Sequence, residues 1–305
     1  MNDAIQTAPR SRLARIASRF SMWVPSTCYH TEPRPADDQA TALQWLGTAG
    51  FRIQVGGTHL WLDPHLSRHT INKLSGPISP NLERIRADVD IAHAVAIGHS
   101  HFDHAIDAPA IAKLRGAVVY GSSDTLHYCR ANGVPEDQLV EMQGDGESFA
   151  IGPMQLRAVK SEHSPMILGK VPLAGRITGP VPLPTLITSL RVGRVFGLHV
   201  TAPTLSIYHV GSAALLDAEL KGITADVVLC CTIGRHATPR FTHRVIDALQ
   251  PRLIVPCHWD QFWRPLGAPP RQIPSNDLMG FLDEVASHPR APAVRVLPPR
   301  GWLAL

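Results

Sequence analysis

The sequence predicts an α/β (α+β) protein, a four-layer αββα sandwich of two mainly antiparallel sheets with helices on the outside. Three observations predict it. Short strand-like runs separated by Gly-rich turns open each half of the chain, helical segments alternate with further strands after them, and the second half repeats the order of the first. At 305 residues the chain can bury one large core.

Residues 25–40, "PSTCYHTEPRPADDQA", form a polar, Pro-containing lead-in, so residues 1–40 are an arm and linker and 41–305 the main domain. The runs "TALQWLG", "FRIQV" and "THLWLD" read as strands, with Gly56-Gly57 making a hairpin of the last two. An apolar run at 93–98 follows. Next come a helix in "DAPAIAKLRG", a strand in "AVVYG", and a helix in "SDTLHYCRANG", with Ser123 or Asp124 placed to cap it and Gly133 to end it. "QLVEM", "ESFAI" and "MQLRAVKSEH" are strands. The second half then offers "TSLRVG", "VFGLHV" and "TLSIYHVGS" as three strands, helix–strand–helix–strand over 213–257, a helix near 275–287 and a strand near 293–297. In this duplication "WLD", ending at Asp63, corresponds to "HVGS", ending at Ser212.

Composition removes several classes of function. The formal charge of +4 is mild, and no Lys/Arg stripe interleaved with aromatics appears, which argues against a nucleic-acid partner. Five cysteines without C-x-x-C spacing do not make a disulfide framework; Cys230 and Cys231, in "DVVLCCTIG", read as core filler in a buried strand, and a reducing cytoplasm is the simplest compartment. There is no secretory signal and no apolar run near the ~20 residues of a membrane span. In "SRLARIASRFSMWV", residues 11–24, Leu13, Ile16, Phe20 and Trp23 recur at helical spacing with Arg12, Arg15 and Arg19 on other faces. That suits a peripheral membrane contact, or an arm packed on its own domain or on a second copy in a homo-oligomer.

Histidine is the anomaly, with sixteen copies. In "AIGHSHFDH", His99 and His101 are two apart at a strand end, where side chains point the same way and can reach one ion. Asp103 and His104 follow as the chain turns into a helix and must serve another position. Adjacent Asp and His rarely join two preceding His on one tetrahedral centre, so the spacing argues for two neighbouring metal positions, about 4 Å apart in two-metal hydrolases.

H-x-H-x-D-H after an apolar strand resembles the metallo-β-lactamase superfamily of metal-dependent hydrolases. "LQWLGTAGFRIQVGGTHLWLDPHLSR" looks like the branch that contains ascorbate-6-phosphate lactonases and the phospholipase D acting on N-acylphosphatidylethanolamines. The resemblance covers roughly residues 41 to 265. It implies that His163, in "VKSEHSP", completes a first site with His99 and His101, and that His258, in "LIVPCHWDQFW", completes a second with Asp103 and His104. It also implies that Asp63 braces the motif loop by hydrogen bonds. One departure stands out. The family usually has an Asp bridging both metals where this chain has Ser212, and Asp217 is too far along to replace it. The expected cofactor is therefore zinc, with one ion tight and the second weaker or absent; manganese and iron are the alternatives.

The leading function is a hydrolase in which metal-activated water attacks an ester, lactone or phosphodiester of a small-molecule or lipid-like substrate. Asp103 would orient that water or take its proton, and His236, in "TIGRHATPRF", would protonate a leaving group or bind an oxyanion. His209 reads as structural. A non-catalytic or regulatory metal-binding protein is the alternative, because the bridging acid is missing; an RNA-processing nuclease lacks the basic groove it would need. Last, "SPMILGKVPLAGRITGPVPLPTLITSL", residues 164–190, follows His163 directly. It has five prolines, no acidic residue, and Lys170 and Arg176 as its charges. Such a segment cannot form a continuous helix or central strand. It predicts an apolar binding loop or lid for a substrate with an acyl or other hydrophobic part, its phosphate or carboxylate met by Lys170 or Arg176; a subunit interface is the competing role.

Overall fold

The computed structural model describes residues 22–30 and 32–305, so the amphipathic segment 11–24 lies outside the described residues except for 22–24. In the first half, β1 (Ala42–Gly47), β2 (Gly50–Val55) and β3 (Thr58–Leu62) are followed by α1 (Leu82–Asp88) and β4 (Ala94–Ala96). Then come α2 (Phe102–Ala105), α3 (Ala108–Arg115), β5 (Val118–Gly121), α4 (Ser123–Ala131) and β6 (Leu139–Glu141). The second half contains β7 (Asp145–Ile151), β8 (Met154–Ser161), β9 (Val195–Ala202), β10 (Leu205–Val210) and β11 (Val227–Cys231). It closes with α5 (Phe241–Leu249), β12 (Leu253–Cys257), α6 (Leu278–Ala286), β13 (Ala293–Val294) and β14 (Trp302–Ala304).

Two seven-stranded sheets result, ordered β14-β1-β2-β3-β4-β5-β6 and β7-β8-β9-β10-β11-β12-β13. Each has antiparallel pairs over its first four strands and parallel pairs over the rest. The internal duplication is therefore real, and β3 and β10 hold the same place in their sheets. The sheets are mixed rather than mainly antiparallel, because a helical or long irregular connection after β3, β4, β5, β10, β11 and β12 returns the chain in the same direction.

The alternation of side chains assigns the layers. Leu60, Leu62, Ala94 and Ala96 meet Leu156, Leu198 and Ile207 between the sheets. Trp61, Val95 and Val119, on the other face, pack on Ile85, Ile111 and Tyr128 of α1, α3 and α4. In the second sheet Phe241, Val245, Phe281 and Leu282 of α5 and α6 pack with β11 and β12. At roughly 25 cal/mol per Å² of apolar area, this burial is the main force holding the four layers together.

Several local expectations are corrected. "TSLRVG" is not a strand: Ile187–Ser189 is a 3-10 turn, and the three strands of the second half are β8, β9 and β10. Residues 213–226 hold turns instead of a helix. The cap of α4 is Ser122, whose hydroxyl accepts the Thr125 N–H, which leaves Asp124 for another role. The described part of the lead-in packs on the main domain. Tyr29 stacks on Trp259 with ring centres 6.1 Å apart, and Val24 and Cys28 belong to the main core. Among the described residues no helix is long and apolar enough to cross a membrane.

Candidate metal centre

The loop after β4 brings the motif to the ends of the strands. Asp63, directly after β3 at φ 43°, accepts the Gly98 N–H on Oδ1 at 2.7 Å. Its Oδ2 stands 2.9 Å from His104 Nδ1 and accepts His209 Nε2–H at 3.0 Å. Close approach selects glycine at 98, where a Cβ would lie 3.2 Å from Asp63 Oδ2 and 3.1 Å from the Phe196 carbonyl. Asp63 is thus the brace that the resemblance implies. His209, read from sequence as structural, is its partner, placed by the end of β10.

Two clusters form. His99, His101 and His163 offer ligand atoms within 4.8 Å of one another, and so do Asp103, His104 and His258. Hydrogen bonds choose the free nitrogens. His101 Nε2 meets the Pro172 carbonyl at 3.0 Å, leaving Nδ1 to face His99 Nε2 at 3.1 Å. His163 Nδ1 meets the Ser164 carbonyl at 2.9 Å, leaving Nε2. His104 gives Nδ1 to Asp63, leaving Nε2, and His258 Nε2 lies 3.2 Å from Asp103 Oδ2. Pro172, Ser164 and Asp63 lie outside the clusters and fix the tautomer and ring orientation of His101, His163 and His104, as partners of metal-ligating histidines do.

Electrostatics suits a cation. Burial pushes the His99 imidazole well below its usual pKa, His101 down to about 3 and His163 to about 4. All three are neutral near pH 7 and free to donate lone pairs. Burial opposes ionisation of Asp103 and Asp63, yet His104 and then His258 beside the first, and His104 and then His209 beside the second, hold both carboxyls below the usual range. For His104 burial disfavours the charged form, but Asp63 and Asp103 outweigh it and raise the pKa. Three imidazoles at one position, with two imidazoles and a carboxylate at the other, fit a borderline metal ion at each.

A cavity of about 150 Å³ opens on both clusters. Phe102, Met166, Ile167, Leu173, Ile233 and Phe262 wall it, with Ser212 and Cys231 at its edge. Residues 164–190 therefore supply a strap over the centre, tied to it by the His101–Pro172 hydrogen bond. Its substrate-binding cations are not there. Arg176 Nε sits 2.8 Å from both oxygens of the buried Asp124, which also accepts the Ile177 N–H; Lys170 is exposed, at the end of a tight turn through Leu168 and Gly169. Arg176 holds the strap down, and neither charge lines the cavity. His236 is also elsewhere, exposed beside Arg240, His243 and Glu284 in a separate surface depression. Ser212 does reach the centre, where its Oγ accepts the Ser164 N–H at 3.1 Å. Asp217 pairs instead with Arg244 at 2.8 Å.

Sequence reading missed the support beneath His258. Thr48, a β-branched residue at φ 54°, accepts the His258 N–H on its carbonyl at 2.7 Å and donates its own N–H to Asp260 at 2.8 Å. Asp260 pairs with the buried Arg68 at 2.8 Å. A left-handed threonine costs on the order of 1–3 kcal/mol and persists only where its surroundings demand it. His258 itself has φ 56°. Thr48, Asp63 and His258 thus all have positive φ beside the centre.

Residues 42–258 match the family model described as a beta-lactamase superfamily domain. The chain belongs to that superfamily. It is 30% identical over 273 residues to a UPF0173 metal-dependent hydrolase of Anaeromyxobacter sp. (strain K), covering 86% of this chain and 90% of the relative. With a hydrolase of the same name from Pyrobaculum arsenaticum it shares 29% over 224 residues, 72% of this chain and 84% of the other. Among solved structures, Igni18, a metallo hydrolase of Ignicoccus hospitalis, superposes with a TM-score of 0.56 at 20% identity, covering 87% of this chain and 98% of its own. CmlA, a diiron beta-hydroxylase of Streptomyces venezuelae, gives 0.58 at 17%, over 90% of this chain and 55% of that one, and shares the fold. The chain is a metal-dependent hydrolase of the metallo-β-lactamase superfamily.

Proposed function

We propose that the protein hydrolyses an ester, lactone or phosphodiester with a short apolar portion. The observation that carries this is the small apolar cavity facing both clusters. His99, His101 and His163 would hold one ion, Asp103, His104 and His258 a second. Bound there, a metal supplies Lewis acidity, lowering the pKa of water and polarising the bond under attack. Asp103, ionised, orients the attacking water and accepts its proton. The strap and Phe262 exclude bulk water, which strengthens every electrostatic interaction within. Zinc is the ion best matched to the all-histidine set, with iron and manganese next. Five free, buried cysteines support a reducing compartment such as the cytoplasm.

Size narrows the substrate. At roughly 30 Å³ per water-sized group, 150 Å³ takes about five such groups. Across nitrophenyl esters, kcat/KM should climb by roughly tenfold per two carbons and then level off beyond about five. The decisive experiment pairs metal analysis with phosphodiester, lactone and ester substrates, with and without chelator. Chelator-sensitive turnover of one class is expected. Metal-loaded protein that turns over none of them excludes these three substrate classes.

A further inference from the structure

The strap has two faces. Met166, Ile167, Pro172 and Leu173 line the metal cavity, while Pro165, Val171 and Ala174 line a second, open cleft of about 880 Å³. His163 belongs to both linings. The two spaces are neighbours across one thin partition, with a proposed metal ligand at their boundary.

They differ in charge. The lining of the metal cavity contains no lysine or arginine. The cleft has an apolar floor of Val192, Val195, Phe196 and Leu216, and four charged residues. Lys160 is neutralised by Asp145, and Glu162 is exposed to water. Arg194 is the exception. Its guanidinium donates to the neutral amide of Gln143, and among the described residues no carboxylate pairs with it. The Asp124 that might have done so is committed to Arg176, and takes only the backbone N–H of Arg194, at 3.3 Å. A half-buried guanidinium held by its backbone, with donors left over, is suited to a planar or tetrahedral oxyanion.

We propose that this cleft is a second substrate compartment, in which Arg194 binds a carboxylate or phosphate of the substrate while the scissile bond lies against the two metal clusters. The role that sequence gave to Lys170 or Arg176 thus falls to Arg194. This rests on the hydrolase reading above, and the test separates the two. Metal-loaded wild-type protein, R194Q and K170Q are assayed on 4-nitrophenyl butyrate and on mono-4-nitrophenyl glutarate, similar esters that differ by a terminal carboxylate. Binding of glutarate and of phenyl phosphate is measured by calorimetry in parallel, to tell carboxylate from phosphate. Wild type should show a KM for the glutarate ester at least tenfold below that for the butyrate, as a charge-assisted hydrogen bond provides. R194Q should erase that difference with kcat little changed, and K170Q, the same charge change at the exposed turn, should keep it. A loss shared equally by both esters in R194Q, or discrimination carried by Lys170, overturns the proposal. If wild type hydrolyses neither ester, the hydrolase reading is what fails for these substrates, and calorimetry alone decides the compartment. Binding of either anion that is lost in R194Q sustains it, and no binding of either overturns it.

Discussion

The loops after β4 and after β11 begin alike, with Ile97-Gly98-His99 in one and Ile233-Gly234-Arg235 in the other, and end in opposite roles. After β4 the glycine N–H is caught by Asp63, and the histidines beyond it face a shared centre. After β11, Arg235 turns inward as a clasp: its guanidinium donates to the carbonyls of Asn276 and Asp277 and lies 3.3 Å from Glu284. His236 is thereby left outside. Duplicated strands provide two equivalent loop positions, and the residue across the strand end decides which becomes a site. In the first half that residue is Asp63, a buried carboxylate with three partners; in the second it is Ser212, a hydroxyl that accepts one N–H.

Removing that carboxylate should do the most damage. Asp63→Ala leaves the Gly98 N–H, His104 Nδ1 and His209 Nε2 buried without their acceptor. Breaking such an interaction costs about 3–5 kcal/mol. Urea unfolding of the metal-free protein should show that loss, and metal analysis should find both positions depleted. A variant as stable and as metal-rich as wild type would remove Asp63 from its role.

Replacing single ligands comes next. His101→Ala should empty the histidine cluster and spare the other, whereas His258→Ala should do the reverse; in each case bound metal and activity fall together. Full metal content in His101→Ala would end the assignment.

The motif, Asp63 and the two distant histidines were legible in the sequence because strand-end spacing and a family pattern are local signals. Ser212 was legible as a departure for the same reason. The Thr48–Asp260–Arg68 support was not, since it joins residues up to 212 positions apart and shows only once the sheets are closed. Arg194 lies outside the segment 164–190 that drew attention in the sequence, and only the fold shows that Asp124 occupies Arg176. Strand β14 escaped because three residues after "PPRG" carry no periodicity to read. The helix expected over 213–226 failed to form although its sequence is permissive, a case of tertiary context overriding propensity.

A subtler change makes the halves more alike. Ser212→Asp puts a carboxylate where the hydroxyl now accepts the Ser164 N–H, beside Asp103, His104 and His258. It can keep that hydrogen bond and add a negative charge beside the second position. Competition with a chelator should show the second ion held at least tenfold more tightly, a gain of about 1.4 kcal/mol. If wild-type protein already keeps two ions per chain through extensive dialysis, the serine is not limiting and another group bridges them.

Loss of the His236 imidazole should change nothing. His236 is the residue that sequence nominates as an acid, on the ground that it sits in a loop after a buried strand. The structure explains why that position misleads. The chain passes Ile233, which does wall the metal cavity, and then turns through Gly234 at φ 77°. Burial of Arg235 in its clasp rotates the next side chain out to the surface. There His236 shares a depression with Arg240 and His243, and its lining includes no residue of the two clusters. His236→Ala should therefore leave kcat/KM and its pH profile within about twofold of wild type, against the 10²–10⁴-fold that loss of a positioned general acid costs. Arg235→Met is the matching control: releasing the clasp should disturb Ile233 and with it the cavity wall, lowering both stability and activity. A large, pH-dependent loss in His236→Ala would mean that this loop swings into the centre on substrate binding, and the contrast between the two halves would then be one of timing rather than of place.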